Sequence, residues 1–427
     1  MPTKPDVSAE AQPIIDIRDL SVRFGLGGST FARLLGRETG VVKAVDGLNL
    51  TLRKGEVVGL VGESGSGKST LGRALLGLVP AAEGSIVFDG DDIAGYSKRQ
   101  LREHRRHAQM VFQDPNAALN PAMTVEQGVG DALRIHGVKS PTERRERVVD
   151  ALERVGLSPV ELFLPKYPRD LSGGQKQRVV IARAIIMGPR LLVADEPISM
   201  LDMSVRAKIL QLMLDLKASL DLTYVYITHD LASAKFFCDR VAIMYLGRIV
   251  EVGDTDAIFA DPKHPYTKAL LAAIPDPDPS RTLPRELLKG EIPDAARPPR
   301  GCAFHPRCPA AFEVCGWEAR DLVAALENHW LKTAAATYDI ERAKIANLDA
   351  LAAQDAGPAV LKPSGQGSSD DLHRLLDEVR TDPANATFWS GVSEVRDTAE
   401  GVEVEFNDGS DPRLRRSGHV EVACHLY

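Results

Sequence analysis

The stretch VVGLVGESGSGKST, residues 57–70, decides the fold class of this 427-residue chain. It begins as a short apolar strand, turns through three glycines and continues as a helix from Lys68. Phosphate oxygens need several backbone N–H groups close to them, and only small residues let the backbone approach that closely. The spacing therefore predicts a phosphate-binding loop over 62–69, in which Lys68 reaches the outer phosphates and the Ser69 hydroxyl coordinates Mg²⁺. The alternative is a glycine-rich turn without a ligand.

The composition is that of an ordinary globular protein, with 44% hydrophobic and 26% charged residues. The net charge of -7 argues against a general nucleic-acid binder. No apolar run approaches the roughly 20 residues of a membrane span, and the N-terminal residues do not resemble a secretory signal. Five cysteines in a chain of this length do not indicate a disulfide framework. We therefore expect a cytoplasmic protein whose membrane role depends on partners.

Strand and helix patterns alternate along the first two thirds of the chain. LLVAD at 191–195 and TYVYIT at 223–228 are predicted as short buried strands, and 114–180 as a helical subdomain. Such alternation indicates an α/β fold with a mostly parallel sheet. A proline-rich connector follows Ile274. The predicted domains are therefore 1–275 and 276–427.

An acidic pair follows the strand at 191–195. Asp195 ends the strand and Glu196 comes next, so both carboxylates are expected at the edge of the sheet where α/β folds bind ligands. Asp195 would hold Mg²⁺ directly or through water, and Glu196 would polarise the attacking water as general base. Taken alone, the pair could equally be a solvated end of a buried strand.

The segment LSGGQ at 171–175 lies between the phosphate loop and the acidic pair. In isolation it indicates a helix start capped by Ser172. In this order, however, the three motifs make residues 14 to about 275 resemble the ATP-binding cassette (ABC) ATPases. The resemblance implies a RecA-like sheet with a phosphate loop, an N-terminal antiparallel β subdomain and a helical subdomain.

The resemblance also implies roles for residues outside those three motifs. Phe24 falls where the family stacks an aromatic ring on adenine, and Gln113 where it senses Mg²⁺ and water. Asp202 ends a loop that contacts the opposing cassette, and His229 matches the histidine that holds the γ-phosphate. In the family two cassettes pair head to tail, so that each ATP lies between one phosphate loop and the other subunit's signature segment.

The implied cofactors are ATP and Mg²⁺. The implied catalytic residues are Lys68, Gln113, Glu196 and His229, and the implied Mg²⁺ ligands are Ser69, Gln113 and Asp195. The implied nucleotide-contacting set is Phe24, Gly62, Ser64, Gly65, Gly67, Lys68, Ser69, Thr70, Gln113, Ser172, Gly173, Gly174, Gln175, Asp195 and Asp202.

Longer flanking segments, including QDPNAALNPAMTV and DPKHPYTKALLAAIP, resemble the oligopeptide and dipeptide importer ATPases. This resemblance implies a subunit lying peripherally at the cytoplasmic face of the cell (inner) membrane. Its partners would be a second cassette of a heterodimer, two transmembrane permease subunits and an extracytoplasmic solute-binding protein, without nucleic acid. Related importers take nickel, glutathione or oligosaccharides, so these solutes stay open.

Two other classes of function are weighed against the importer. A soluble cassette acting on nucleic acid or ribosomes would carry long coiled coils, zinc insertions or two cassettes, whereas this chain has one cassette and is acidic. A regulatory module without catalysis is disfavoured because Lys68, Asp195, Glu196 and His229 are all present.

The C-terminal region contains four of the five cysteines. Cys302, Cys308 and Cys315 are close together, and Cys424 lies near the end of the chain. Such a set can bind Zn²⁺ or an iron–sulfur cluster, although structural zinc sites usually have tighter pairs. The segment resembles the C-terminal extension of peptide-importer ATPases, which implies a [4Fe–4S] cluster with an insertion at about 319–415. Zinc and reduced structural cysteines stay open as alternatives.

Overall fold

The computed structural model describes residues 13–25, 41–274 and 290–427. The predicted domain boundary at 275/276 and most of the proline-rich connector lie outside these residues. The chain divides into two compact units, the first formed by 1–261 with 418–421 and the second by 262–417 with 422–427.

The first unit contains a mixed sheet and a smaller antiparallel sheet. Its strands are β1 (Pro13–Gly25), β2 (Val41–Arg53), β3 (Val57–Val61), β4 (Glu83–Phe88), β5 (Asp91–Asp92), β6 (Ala108–Val111), β7 (Leu191–Asp195), β8 (Thr223–Thr228), β9 (Arg240–Tyr245) and β10 (Arg248–Asp254). Six of them lie in the order β10–β9–β3–β8–β7–β6, in which every pairing except β10 with β9 is parallel. The prediction of a mostly parallel α/β sheet is therefore confirmed. The other four form an antiparallel sheet, β2–β1–β4–β5.

Several helices of the first unit begin at a side-chain cap that the sequence offers. Thr124 and Ser140 each accept a hydrogen bond from a backbone N–H of the first turn that they precede. The helices are Lys68–Leu75, Lys98–His107, Pro115–Ala118, Val125–Ile135, Pro141–Arg154, Gly173–Ile185, Met203–Leu220, Leu231–Phe237 and Thr255–Ala260. Four of these lie within the segment 114–185, which includes the predicted helical subdomain. Among the described residues, no helix has both the length and the apolar character needed to cross a membrane.

The second unit is a folded body with its own sheet. Its helices are Pro265–Ala272, Ala319–Trp330, Ala335–Ala343, Leu348–Ala352, Ser369–Thr381 and Ala386–Ser390. The strands β11 (Ala359–Leu361), β12 (Val392–Thr398) and β13 (Gly401–Phe406) form an antiparallel sheet with β13 in the middle. Two short strands follow, β14 (Arg415–Ser417) and β15 (Val420–Val422), and β15 begins in the segment 418–421 that belongs to the first unit. Leu372, Leu375, Leu376 and Val379 are buried on one face of the helix Ser369–Thr381, so the segment 319–415 folds around apolar side chains of its own.

The core of the first unit lies around the central strands of the mixed sheet. Every residue of β3, β7 and β8 is buried, as expected for parallel strands covered on both faces. The Phe237 ring packs edge-on against Tyr224 and tilted against Tyr226, with centroid distances of 5.5 and 4.9 Å. These central strands carry the loops on which the site is built.

Shortening a buried side chain of β8 should destabilise the first unit. Ile227 is 0% exposed, so Ile227→Ala is expected to lower the free energy of unfolding by about 2–5 kcal/mol through lost burial and a residual cavity. Urea unfolding followed by far-ultraviolet circular dichroism would measure the loss. Leu162→Ala, at a side chain 61% exposed, is the control and should change the unfolding free energy by less than about 0.5 kcal/mol.

Candidate active site

The candidate site lies where four neighbouring parallel strands end. The phosphate loop follows β3, His229 follows β8, Asp195 is the last residue of β7, and Gln113 comes two residues after β6. In-register parallel pairing places the carboxyl ends of these strands at one edge of the sheet. Residues that are up to 167 positions apart therefore meet along one line.

The phosphate loop has a backbone conformation that only glycine adopts without strain. Gly67, which precedes the helix Lys68–Leu75, has φ 98°. A Cβ atom at Gly67 would lie 2.1 Å from the carbonyl oxygen of Ala44. The Gly247 N–H donates to the Ser66 carbonyl at 3.0 Å, which holds the loop from another side. Loop shape thus depends on the absence of a side chain at position 67.

The Lys68 ammonium is folded back onto the loop. It donates to the carbonyl oxygens of Gly62 and Glu63, both at 2.7 Å, and to the Ser66 hydroxyl at 3.2 Å. Burial lowers the pKa of Lys68, while the nearby Glu196 and Asp195 carboxylates act in the opposite direction. The buried ammonium group therefore has three acceptors in this structure. Negatively charged phosphate oxygens could replace them.

The Ser69 hydroxyl and Asp195 meet directly. Ser69 Oγ donates to Asp195 Oδ1 at 2.9 Å. Burial raises the pKa of the Asp195 carboxyl, and the hydrogen bond from Ser69 partly offsets this effect. A hydroxyl oxygen and a carboxylate oxygen in contact are the kind of ligands that Mg²⁺ prefers.

Glu196 is held by residues from two other strands. Gln113 Nε2 donates to Glu196 Oε2 at 2.9 Å, and His229 Nδ1 lies 3.0 Å from Glu196 Oε1. The backbone of Glu196 has φ 46°, and its N–H donates to the Ile227 carbonyl at 2.9 Å. A non-glycine residue in this region is strained, and such strain is common at functional sites.

Three other predicted nucleotide contacts lie on the loop or at the start of the helix that follows it, and a fourth lies on β1. Ser64 and Gly65 are exposed within it, and Thr70 is in the first turn of the helix that follows. Phe24 is 42% exposed and pairs with Val42 on the neighbouring strand β2. This exposure leaves part of the Phe24 side chain accessible to solvent at the end of β1.

The signature segment starts a helix, as its capping pattern predicts. Ser172 and Gln175 form a capping box in which each side chain bonds the other residue's backbone N–H, at 3.3 and 3.0 Å. A Cβ atom at Gly174 would lie 2.9 Å from Val205 Cγ1, in the helix preceded by Asp202. Gly173 begins the helix. In the described part of the chain, the side chains of Ser172 and Gln175 form no hydrogen bond with the phosphate loop.

The structure brings Cys424 into electrostatic contact with the three earlier cysteines. The pKa values of Cys302 and Cys308 are raised to about 12, mainly by burial and to a smaller extent by the neighbouring cysteines, Cys424 among them. The pKa of Cys315 is also raised, first by burial and then by Cys424. Within residues 13–25, 41–274 and 290–427, no three of these sulfur atoms all lie within 4.8 Å of one another.

Two histidines near these cysteines have other partners. His305 is buried, with Nδ1 2.9 Å from the Cys302 carbonyl and Nε2 3.0 Å from Asp321 Oδ2. His425 Nε2 lies 2.8 Å from the Ser410 carbonyl. Hydrogen bonding at these atoms favours a structural role over metal ligation. The apolar segment FFCDRVAIMY around Cys238 predicts a small core residue there, and Cys238 is indeed fully buried in the first unit.

An apolar groove in the first unit was not predicted from the sequence. It has a volume of about 400 Å³. Its lining includes Leu76, Met110, Phe112, Leu119, Met123, Val125, Ala132 and Ile135, with the charged side chains Arg105, Asp131 and Arg183. These residues come from separate helices and β6, so sequence spacing alone gives no signal for the groove. Phe112 precedes Gln113, which places the groove next to the catalytic network.

Comparisons with known proteins agree with this arrangement. The family model of ABC transporters matches residues 45–199, and that of the C-terminal region of oligopeptide/dipeptide transporters matches residues 250–315. A putative peptide import ATP-binding protein of Brucella ovis is 43% identical over 318 residues, covering 74% of this chain and 96% of that protein. An oligopeptide transport ATP-binding protein of Bacillus subtilis is 42% identical over 327 residues, covering 76% and 98%.

Among solved structures, a dimeric ATP-binding cassette in a post-hydrolysis state with ADP and phosphate is 30% identical. The match covers 56% of this chain and 98% of the chain in that structure, with a TM-score of 0.49. The relatives above match nearly their whole length at more than 40% identity. The chain therefore belongs to the oligopeptide/dipeptide transporter family of ABC proteins, and it is an ATPase subunit.

Proposed function

We propose that this chain hydrolyses ATP to drive the import of di- or oligopeptides through separate permease subunits at the cytoplasmic face of the membrane. The observation that carries the proposal is the Glu196 carboxylate held between Gln113 and His229, beside the phosphate loop. Import of peptides is supported by the names of the relatives, which are peptide and oligopeptide import or transport ATP-binding proteins.

Glu196 would act as the general base of hydrolysis. Its two oxygens are fixed by Gln113 and His229, so the carboxylate cannot rotate freely. A carboxylate fixed in this way can accept a proton from a water aimed at the γ-phosphate. His229, which is more than half exposed, would contact the γ-phosphate from the side facing solvent.

Lys68, Ser69 and Asp195 would bind the nucleotide and its Mg²⁺. The Lys68 ammonium would move from the Gly62 and Glu63 carbonyls to the outer phosphates, where it gains charge-assisted hydrogen bonds. Ser69 and Asp195, already in contact, would hold Mg²⁺ together with Gln113. Mg²⁺ supplies charge neutralisation of the phosphates when it is bound.

The signature segment would serve the ATP of a second cassette. Its capping box engages the N–H of Gln175, while the first N–H groups of the helix have no intrahelical partner. Such a helix start attracts an anion. We infer that Ser172–Gln175 and Asp202 face an opposing cassette, which in a heterodimer is a different chain.

The apolar groove would receive a short helix of a permease subunit. Membership of this transporter family implies permease partners. The lining is apolar, with Arg105, Asp131 and Arg183 able to anchor polar ends of such a helix. Movement of Phe112 in the groove would be transmitted along one peptide bond to Gln113, and from there to Glu196.

Cys302, Cys308, Cys315 and Cys424 would hold a [4Fe–4S] cluster. Four thiols that interact yet are not within 4.8 Å of one another suit a polynuclear cluster better than a single Zn²⁺, because Zn–S bonds of about 2.3 Å bring sulfurs close together. The donor set is also chemically suited, since iron–sulfur clusters are bound by cysteine thiolates. A cluster here would be a structural or redox-active element outside the ATPase site.

Substituting the base should separate binding from hydrolysis. Glu196→Gln is expected to bind ATP like the unsubstituted chain while turning over about 10²–10⁴-fold more slowly, because the amide cannot accept the proton. Lys68→Ala should weaken ATP binding by about tenfold or more through lost charge-assisted bonds. Nucleotide titration and phosphate release would measure both. Glu161→Gln, at an exposed glutamate, should change neither, and unchanged turnover in Glu196→Gln would contradict the assignment.

Filling the groove should uncouple the subunit from its permease. Ala132→Trp places a large side chain among the groove residues and is expected to abolish capture of permease subunits from detergent-solubilised membranes, with ATP affinity retained. Ala232→Trp, at an exposed alanine of another helix, should retain capture. Equal capture by both variants would refute docking at the groove, and capture of ribosomes in place of permeases would favour the soluble-cassette alternative.

Anaerobic purification should yield iron and sulfide in the ratio of a [4Fe–4S] cluster. Cys308→Ser is expected to lose both, whereas Cys238→Ala, which changes a core cysteine of the first unit, should retain them. Elemental analysis and the visible absorption spectrum would measure the content. Zinc in place of iron would support the zinc site, and no metal at all would support reduced structural cysteines.

A further inference from the structure

Three side chains of the second unit converge from three helices. His329 lies on the helix Ala319–Trp330, Glu341 on Ala335–Ala343 and Glu378 on Ser369–Thr381. One ligand atom from each lies within 4.8 Å of the other two. The three residues lie beyond residue 315, where the family-model matches end.

His329 offers an enclosed nitrogen without a hydrogen bond. Its Nε2 atom is buried and has no partner within hydrogen-bonding distance. It lies 3.9 Å from Glu341 Oε2 and 3.9 Å from Glu378 Oε2. These distances are too long for hydrogen bonds. Buried polar atoms normally have a partner, so this nitrogen points to a missing one.

Charge at this position favours a cation. Two carboxylates face the imidazole, and in the described part of the chain neither forms an ion pair with a lysine or arginine. The nearby Lys332 is bound to Asp382 at 2.6 Å. Glu341 is oriented by Trp330, whose Nε1 donates to Glu341 Oε2 at 2.8 Å. Such a bond to a ligating carboxylate is typical of metal sites.

We propose that His329, Glu341 and Glu378 bind a divalent transition-metal ion of the Zn²⁺ type. One imidazole nitrogen and two carboxylate oxygens are suitable ligands, with bonds of about 2.0–2.2 Å. Each carboxylate oxygen lies 3.9 Å from His329 Nε2, and two ligands of one tetrahedral ion with such bonds are about 3.4 Å apart, so each oxygen would approach the nitrogen by about half an ångström. Water can complete the sphere because Glu378 is exposed. The ion joins three helices and stabilises the second unit.

Zinc binding by the purified full-length chain tests the proposal. With affinity tags removed and without nucleotide or Mg²⁺, Zn²⁺ is titrated by calorimetry into the unsubstituted chain, His329→Ala, Glu378→Gln and the control His373→Ala. His373 lies on the same helix as Glu378. It pairs with a single carboxylate, that of Asp397, at 3.0 Å. Cysteine sites contribute equally to all four proteins, so the difference between them isolates this site.

The unsubstituted chain and His373→Ala are expected to bind one more equivalent of Zn²⁺ than His329→Ala. Glu378→Gln should weaken the affinity for that additional ion by at least about tenfold. Because Glu378 is exposed, this substitution should leave the fold intact. Zinc should also perturb Trp330 fluorescence, through Glu341, only in the proteins that bind the extra ion. Equal stoichiometry and affinity in all four proteins would overturn the proposal.

Discussion

The active site depends on the parallel alignment of β3, β8, β7 and β6. Hydrogen bonding in register brings the ends of these strands to one edge, so the loop after each strand contributes one chemical group. The groups proposed for phosphate binding, Mg²⁺ ligation, general base catalysis and sensing come from the ends of these four strands. A change in register of any strand would move its group by about 3.3 Å per residue, which exceeds the tolerance of a hydrogen bond.

Glu196 shows how this alignment becomes chemistry. Its carboxylate takes one contact from the β6 side and one from the β8 side, while its strained backbone is tied to Ile227 of β8. The base is therefore oriented by its neighbours on both sides within one chain. In the signature segment, in contrast, the hydrogen bonds of Ser172 and Gln175 to other described residues are local. One chain thus orients the proposed base by itself, whereas the signature segment would act only in the proposed pairing with a second cassette.

Local patterns in the sequence predicted most of the first unit. The strands at 57–61, 191–195 and 223–228 are found at those positions, because buried parallel strands appear as continuous apolar runs. The roles of Gln113 and His229 followed only from family resemblance, and their contacts with Glu196 were not predicted, since both residues are distant from it in sequence. The groove and the His329, Glu341 and Glu378 group were missed. Both depend on how helices pack, and tertiary packing leaves no fixed spacing in the sequence.

The second unit explains how a cysteine at the chain end can join three others. Joining Cys315 to Cys424 through a flexible segment would cost closure entropy that grows with segment length. Here the intervening residues form helices and a sheet with buried apolar side chains, so folding of that segment brings its two ends together. The cost of closure is offset by the segment's own core. A metal ion joining three of its helices would stabilise that core, and it would thereby favour the arrangement of the four thiols as well.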